Sequence, residues 1–90
     1  MDRAKFESEL LRDGYRVVFG GMDPNQMNPE HSHEFDARAM VLAGEITITR
    51  DGEATTFRPG DSCTVPRGTP HAEQAGPQGV AYVAGYRTPG

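Results

Sequence analysis

The sequence predicts an all-β domain, a sandwich or barrel of short strands, preceded by one short helix. Three observations carry that expectation. Segments rich in Val, Ile, Thr, Tyr and Phe recur along the chain, turn residues separate them at regular intervals, and helical periodicity is confined to the N-terminus. Eleven glycines and seven prolines in 90 residues supply the turns such a chain needs.

Asp2 to Asp13 reads as the helix. Phe6 and Leu10 lie four apart with Leu11 beside them, giving a narrow apolar stripe. Asp2 suits the N-cap, Gly14 suits the C′ position, and Arg3 and Glu7 are spaced to pair along the exposed side. A helix of about three turns is marginal alone. Residues 1–14 are therefore expected to pack on a barrel or on a dimer partner, with residues 15–90 forming the barrel.

Tyr15 to Phe19 reads as the first strand, ended by Gly20-Gly21, and the proline-bearing stretch over 20–30 reads as a long loop. Strand character returns after His31 and runs through Met40-Val41-Leu42, and Gly44 interrupts it. Ile46 and Ile48 then alternate with Thr47 and Thr49, and Asp51-Gly52 is a two-residue hairpin signal before Glu53–Phe57. Pro59-Gly60-Asp61 makes the next turn, ahead of a strand over 62–66 and a turn at Arg67-Gly68. His71 to Ala75 is a further strand, Gly76 to Gly79 is expected to turn the chain, and Val80 to Tyr86 runs back. Thr88-Pro89-Gly90 is expected to fray. The total is about seven or eight short strands.

Composition excludes several function classes. The net charge is −4 with no basic cluster, which argues against a nucleic-acid partner. No apolar run approaches the ~18 residues of a membrane span, and residues 1–13 are too charged for a signal peptide, so the cytoplasm is the expected location. The single Cys63 cannot form an internal disulfide. A core this small gains from association, so a homodimer is expected.

The chain has three histidines, and two of them form His31-Ser32-His33. In a strand, residues two apart project from one face about 6.6 Å apart, close enough for both imidazoles to tilt toward one ion. On a helix they would diverge. The third, His71, follows a tight turn at the mouth of a strand.

Residues 31–44, HSHEFDARAMVLAG, place two histidines before a strand and a glycine. Residues 60–71, GDSCTVPRGTPH, place Gly-Asp before a short strand, Pro-x-Gly and a histidine. Fifteen residues, 45–59, separate the two segments. Together they resemble the two motifs of the cupin superfamily at the short spacing of small microbial members. The resemblance implies a double-stranded β-helix, or jelly-roll barrel, with His31, His33 and His71 holding one divalent transition metal in its mouth. Fe, Zn, Ni, Mn and Cu all accept imidazole ligands or fall within the family's range.

The first cupin motif carries a glutamate ligand seven residues before its glycine, and here that position is Ala37. Alternation from His33 sends Ala37 inward. Two readings follow. Either three histidines leave open positions for water or a ligand, or another carboxylate substitutes. Glu73, which shares a strand face with His71, is the first candidate, either as fourth ligand or as an acceptor that orients a histidine. Asp36 is the second, whereas Glu30 and Glu34 alternate outward.

Phe35, Ala39, Val41, Ile46, Ile48, Phe57, Val65, Val80, Tyr82 and Val83 are the expected core and pocket wall. Tyr82 and Tyr86 can offer hydroxyls. Met22, Met27 and Met40 are placed at the barrel mouth, and Cys63 is expected to be buried as a small hydrophobe. An open three-histidine site resembles those of iron-dependent thiol and diketone dioxygenases. The expected function is a metal-dependent enzyme, dioxygenase- or isomerase-like, acting on a small oxygen-rich molecule. The alternatives are a non-catalytic module that binds or senses a small molecule, and a metal-free barrel.

Overall fold

A computed structural model describes residues 2–89; Met1 and Gly90 lie outside it. One helix, α1 (Arg3–Arg12), precedes six strands: β1 (Arg16–Met22), β2 (Met27–His31), β3 (Asp36–Arg50), β4 (Glu53–Phe57), β5 (Ser62–Val65) and β6 (His71–Arg87). All the pairings are antiparallel.

β3 and β6 form the spine and pair with each other along nearly their whole length. Residues 80–86 of β6 take β1 on their free edge, while residues 37–40 of β3 take β5. The other ends of the same two strands, 71–74 and 46–50, take β2 and β4. The result is two four-stranded halves that share both long strands. One reads β1-β6-β3-β5, and the other β2-β6-β3-β4.

The halves bend apart at Gly44 and Gly79, with φ of 74° at each. A Cβ on Gly44 would collide with the Gly79 carbonyl, and a Cβ on Gly79 would come 2.7 Å from the Met22 carbonyl. The strands cross too closely there for any side chain. Gly44 therefore bends β3 and does not interrupt it. Residues 76–79, expected to be a turn, are a bulge within β6: Ala75 pairs with Ile46 and Val80 with Gly44, so four residues stand opposite Glu45 alone. Pro77 survives in a long strand because the bulge lies outside the ladder. These two bends fuse four of the expected strands into two, and β2, in a stretch expected to be loop, brings the total to six.

The expected loop over 20–30 is also mostly strand. β1 runs on through Gly20 and Gly21 to Met22, and β2 begins at Met27. Both run antiparallel to β6, so together they form one edge ribbon with a jog at 23–26. The jog follows the bulge, because Asn25 N–H donates to the Gly76 carbonyl (3.0 Å) and Ala75 N–H to the Gln26 carbonyl (2.9 Å). At the opposite corner Asp51 and Gly52, both at positive φ, close the two-residue hairpin between β3 and β4.

The sheet has two apolar faces. Inside, Val41, Ile46, Ile48, Ala75 and Val80 pack between the halves, with Met22, Phe57, Cys63 and Tyr82 against them. Outside, α1 covers the first half: Phe6 and Leu10 are fully buried against Tyr15, Met40 and Val83. Alternation along β3 and β6 separates the two clusters, sending Val41 inward and Met40 outward to the helix. Met40 is therefore helix-side core and not a residue of the mouth, and Met27 is exposed. Asp2 caps the helix by accepting from Lys5 N–H (2.8 Å), and Arg3 pairs with Glu7 (3.2 Å). Leu11 points away from the stripe and is 66% exposed. Among the described residues no helix is long and apolar enough to cross a membrane.

Phe6 and Leu10 together form the docked stripe of the helix. Phe6→Ala is expected to cost about 3–5 kcal/mol through lost burial and the cavity left behind, read as a lower denaturant midpoint. Leu11→Ala on the same helix should change it little.

Candidate metal centre

The three histidines converge at the end of the interior away from the glycine bend. His31 is the last residue of β2 and pairs in register with His71, the first residue of β6. His33 lies two residues beyond β2, in the unpaired link 32–35. The strand expected to hold both His31 and His33 thus stops at the first of them. The cluster forms all the same, with ring centroids 4.8 Å apart for His31–His33, 4.3 Å for His31–His71 and 5.4 Å for His33–His71. One nitrogen from each ring lies within 4.8 Å of the other two.

Backbone carbonyls orient two of the rings. His31 Nδ1 lies 2.7 Å from the Pro29 carbonyl, and His71 Nδ1 lies 2.9 Å from the Thr69 carbonyl. A carbonyl only accepts, so each Nδ1 carries the hydrogen, and in the neutral ring the lone pair then sits on Nε2. That is the tautomer a metal-binding imidazole needs, with its second nitrogen held by a backbone acceptor. His33 is steadied differently. Its ring stacks on Phe35 at 4.6 Å and 15°, and Phe35 in turn meets Tyr86 edge-on at 4.9 Å. Burial pushes the His33 pKa down, with further lowering from the neighbouring His31 and His71, so its neutral form is favoured. The role of Phe35 as a prop was missed in the sequence, where it read as generic core. Its placement two residues after His33 is the signal that could have found it.

Glu73 flanks the cluster without joining it. Its Oε1 accepts from Asn28 Nδ2 (3.1 Å) and lies 3.7 Å from His31 Nε2. The carboxylate therefore faces the Nε2 side of His31, while the Nδ1 side is already taken by the Pro29 carbonyl. Asn28 was not singled out from the sequence, because the loop reading hid its register opposite Glu73.

Asp36 is drawn elsewhere. Its carboxylate accepts from Arg67 N–H (2.9 Å), Arg67 Nη2 (3.1 Å) and Arg87 Nη2 (3.3 Å). These donors pull its pKa down to about 2, the Arg67 backbone N–H first and the Arg67 side chain next. Ala37, at the position of the family's glutamate, does line the interior.

The histidines form one end of a cavity of about 260 Å³. Val41, Ile46, Ile48, Phe57 and Val65 make its wall hydrocarbon, and Glu73, Asn28, Tyr82 and Tyr86 add the polar groups. Arg38 touches the rim, but its guanidinium faces the helix, 3.6 Å from Glu9 and over the Phe6 ring. Burial raises the Tyr82 and Tyr86 pKa values, so both hydroxyls keep their protons. Burial likewise raises that of Cys63, which lines the wall as a thiol.

Residues 18–80 match the cupin domain family. The chain belongs to that family, and its paired halves are the family's double-stranded β-helix. Among solved structures it is similar to a protein of unknown function from Rhizobium leguminosarum bv. viciae 3841, at TM-score 0.78 and 21% identity over 86% of this chain and 73% of that one. A conserved protein of unknown function from Streptococcus pyogenes matches at TM-score 0.73 and 27% identity, over 82% of this chain and 64% of that one. A cupin superfamily protein from Desulfitobacterium hafniense DCB-2 matches at TM-score 0.73 and 21% identity, over 83% and 68%. The chain thus spans just under two thirds of the Streptococcus protein. No curated protein matches.

The depressed pKa of Asp36 sets an acid signature. A carboxyl lowered in the folded state stabilises above its unfolded value of about 3.9, and that stabilisation is lost as pH falls toward about 2. Acid titration of the metal-free protein should show stability falling through this window. In Asp36→Asn that portion of the slope should be absent.

Proposed function

We propose that this chain is a small metal-binding cupin that holds one divalent transition metal on His31, His33 and His71. In this reading the cavity behind the metal captures a small oxygen-bearing molecule. The observation that carries the proposal is the convergence of three imidazoles, two of them with Nδ1 tied to a backbone carbonyl and Nε2 free. Three neutral ligands suit Fe, Zn, Ni or Cu, and Mn among harder ions. A bound divalent cation there supplies undiminished positive charge that binds and polarises an oxygen ligand.

The chain's own residues define what that molecule looks like. The wall of Val41, Ile46, Ile48, Phe57 and Val65 favours a compact hydrocarbon body. Tyr82 and Tyr86 can donate hydrogen bonds to its oxygens. Glu73, held by Asn28, stands where it can accept a proton from a molecule seated against His31. That carboxylate favours turnover, dioxygenase- or isomerase-like, over simple capture. A binding or sensing module is the second reading, and it needs only the cavity.

Metal analysis of untagged protein loaded with iron, zinc, manganese, nickel or copper should give about one equivalent per chain for at least one of them. His33→Ala and His71→Ala should each fall below about a tenth of an equivalent under the same conditions. Full-length protein that takes up none of the five metals would falsify the proposal. Glu73→Gln should keep its metal; a loss as complete as that of His71→Ala would make Glu73 a fourth ligand. A loaded protein that consumes no oxygen and exchanges no α-protons across a panel of small ketones, thiols and acids is the binding module.

Two copies of the chain form the expected assembly. Light scattering should then give a mass about twice 9.8 kDa. A monomer mass at working concentration removes that part of the reading.

A further inference from the structure

We propose that Asp36 is a positioning residue for the histidine cluster, clamping the turn that delivers His71 against the segment that delivers His33. The inference rests on the metal-binding reading above and adds a residue that touches none of the three histidines' rings.

The two histidines come from distant parts of the chain, so their separation must be set by contacts. His33 lies in the unpaired link ahead of β3, and His71 follows the turn over 66–69. The β3–β5 ladder stops at Ala37 and Val65, just short of both segments. Beyond it, two hydrogen bonds from backbone N–H groups tie them together. Arg67 N–H donates to Asp36 Oδ1 (2.9 Å), and Gly68 N–H donates to the His33 carbonyl (2.8 Å). The next residue, Thr69, supplies the carbonyl that holds His71 Nδ1 at 2.9 Å. A continuous path of hydrogen bonds thus runs from the backbone of His33, through the turn, to the ring of His71.

Asp36 holds the same turn one residue earlier, as the charged acceptor of the Arg67 N–H. Besides the Arg67 N–H it takes Arg67 Nη2 at 3.1 Å and Arg87 Nη2 at 3.3 Å, with its side chain only 13% exposed. A carboxylate accepting a backbone N–H makes a charge-assisted bond stronger than a neutral one, while the two arginines, 47% and 42% exposed, add less. Arg87 continues to the Asp13 carbonyl at the end of α1 (3.0 Å), so the clamp is anchored to the helix and to the end of β6. Asp36 sits beside the position where the family's glutamate is missing, and acts from outside the cavity.

The test compares cobalt(II) binding with stability of the metal-free chain in Asp36→Ala, Asp36→Asn, Arg87→Ala and His71→Ala. Asp36→Ala should weaken cobalt(II) binding about 10–100-fold, as removal of a ligand-orienting contact does. It should also alter the visible spectrum of the bound ion, which a loss of stability alone would not. Asp36→Asn keeps an oxygen for the Arg67 N–H and should recover part of the affinity. Arg87→Ala removes only the helix-side link and should leave the affinity within about twofold of the parent.

Wild-type affinity and spectrum in Asp36→Ala would overturn the clamp. So would affinity losses that simply follow the loss of melting temperature across the Asp36 and Arg87 variants. Asp36→Asn, the milder change, carries the same comparison if the alanine variant does not fold. Unchanged cobalt(II) binding in His71→Ala would instead sink the metal-binding reading, and the clamp with it.

Discussion

The close crossing at Gly44 and Gly79 is the constraint on which the rest of the structure depends. Two long strands can serve both halves of a barrel only if they bend where they meet. The bend brings backbone against backbone, with no room for a Cβ on either side. Everything on the far side follows from it. β2 and β4 are carried over the interior by the ends of β6 and β3 beyond the bend. That places His31 opposite His71 at the mouth.

Alternation then gives the same two strands two jobs. Outward side chains such as Met40 and Val83 hold α1, while inward ones such as Val41, Ile46 and Ile48 line the cavity. The helix therefore stabilises the sheet that forms the cavity wall without occupying the cavity. The charged residues follow the same division. Arg38 is spent on Glu9 and Phe6 at the helix, and Arg87 and Arg67 on Asp36 at the rim. The interior keeps its histidines and Glu73 in a mainly hydrocarbon setting. There burial and the two neighbouring imidazoles lower the His33 pKa, which favours its neutral form.

The carboxylates illustrate how register decides chemistry. Glu73 and Asp36 were both candidates to replace the glutamate absent at Ala37. Glu73 shares the inward face of β6 with His71, and the structure puts its oxygen 3.7 Å from His31 Nε2. Asp36 has the same functional group one residue from Ala37, and that single step turns it to the other side of the strand. There it meets two guanidinium groups and a backbone N–H. Identical chemistry thus has opposite placement, because side chains in a strand alternate with period two.

Local chemistry in the sequence determined the helix with its Asp2 cap, the Asp51-Gly52 hairpin, the all-β class and the three candidate histidines. Each of these depends on neighbours a few residues away, through propensity, periodicity or turn geometry. The two spaced motifs extended that reach to the family. What the sequence alone left undecided was long-range pairing. Gly44 and Gly76 to Gly79 read as strand breaks because a bend shared by two strands 35 residues apart looks locally like a turn. Residues 20–30 read as loop because their partner is the far end of β6. Asn28, Phe35 and Asp36 acquire their roles only from residues brought to them by the fold, namely Glu73, Tyr86 and the arginines of the rim. Tertiary structure decided those placements, because hydrogen-bond register between distant segments is set by the whole sheet and not by any one strand.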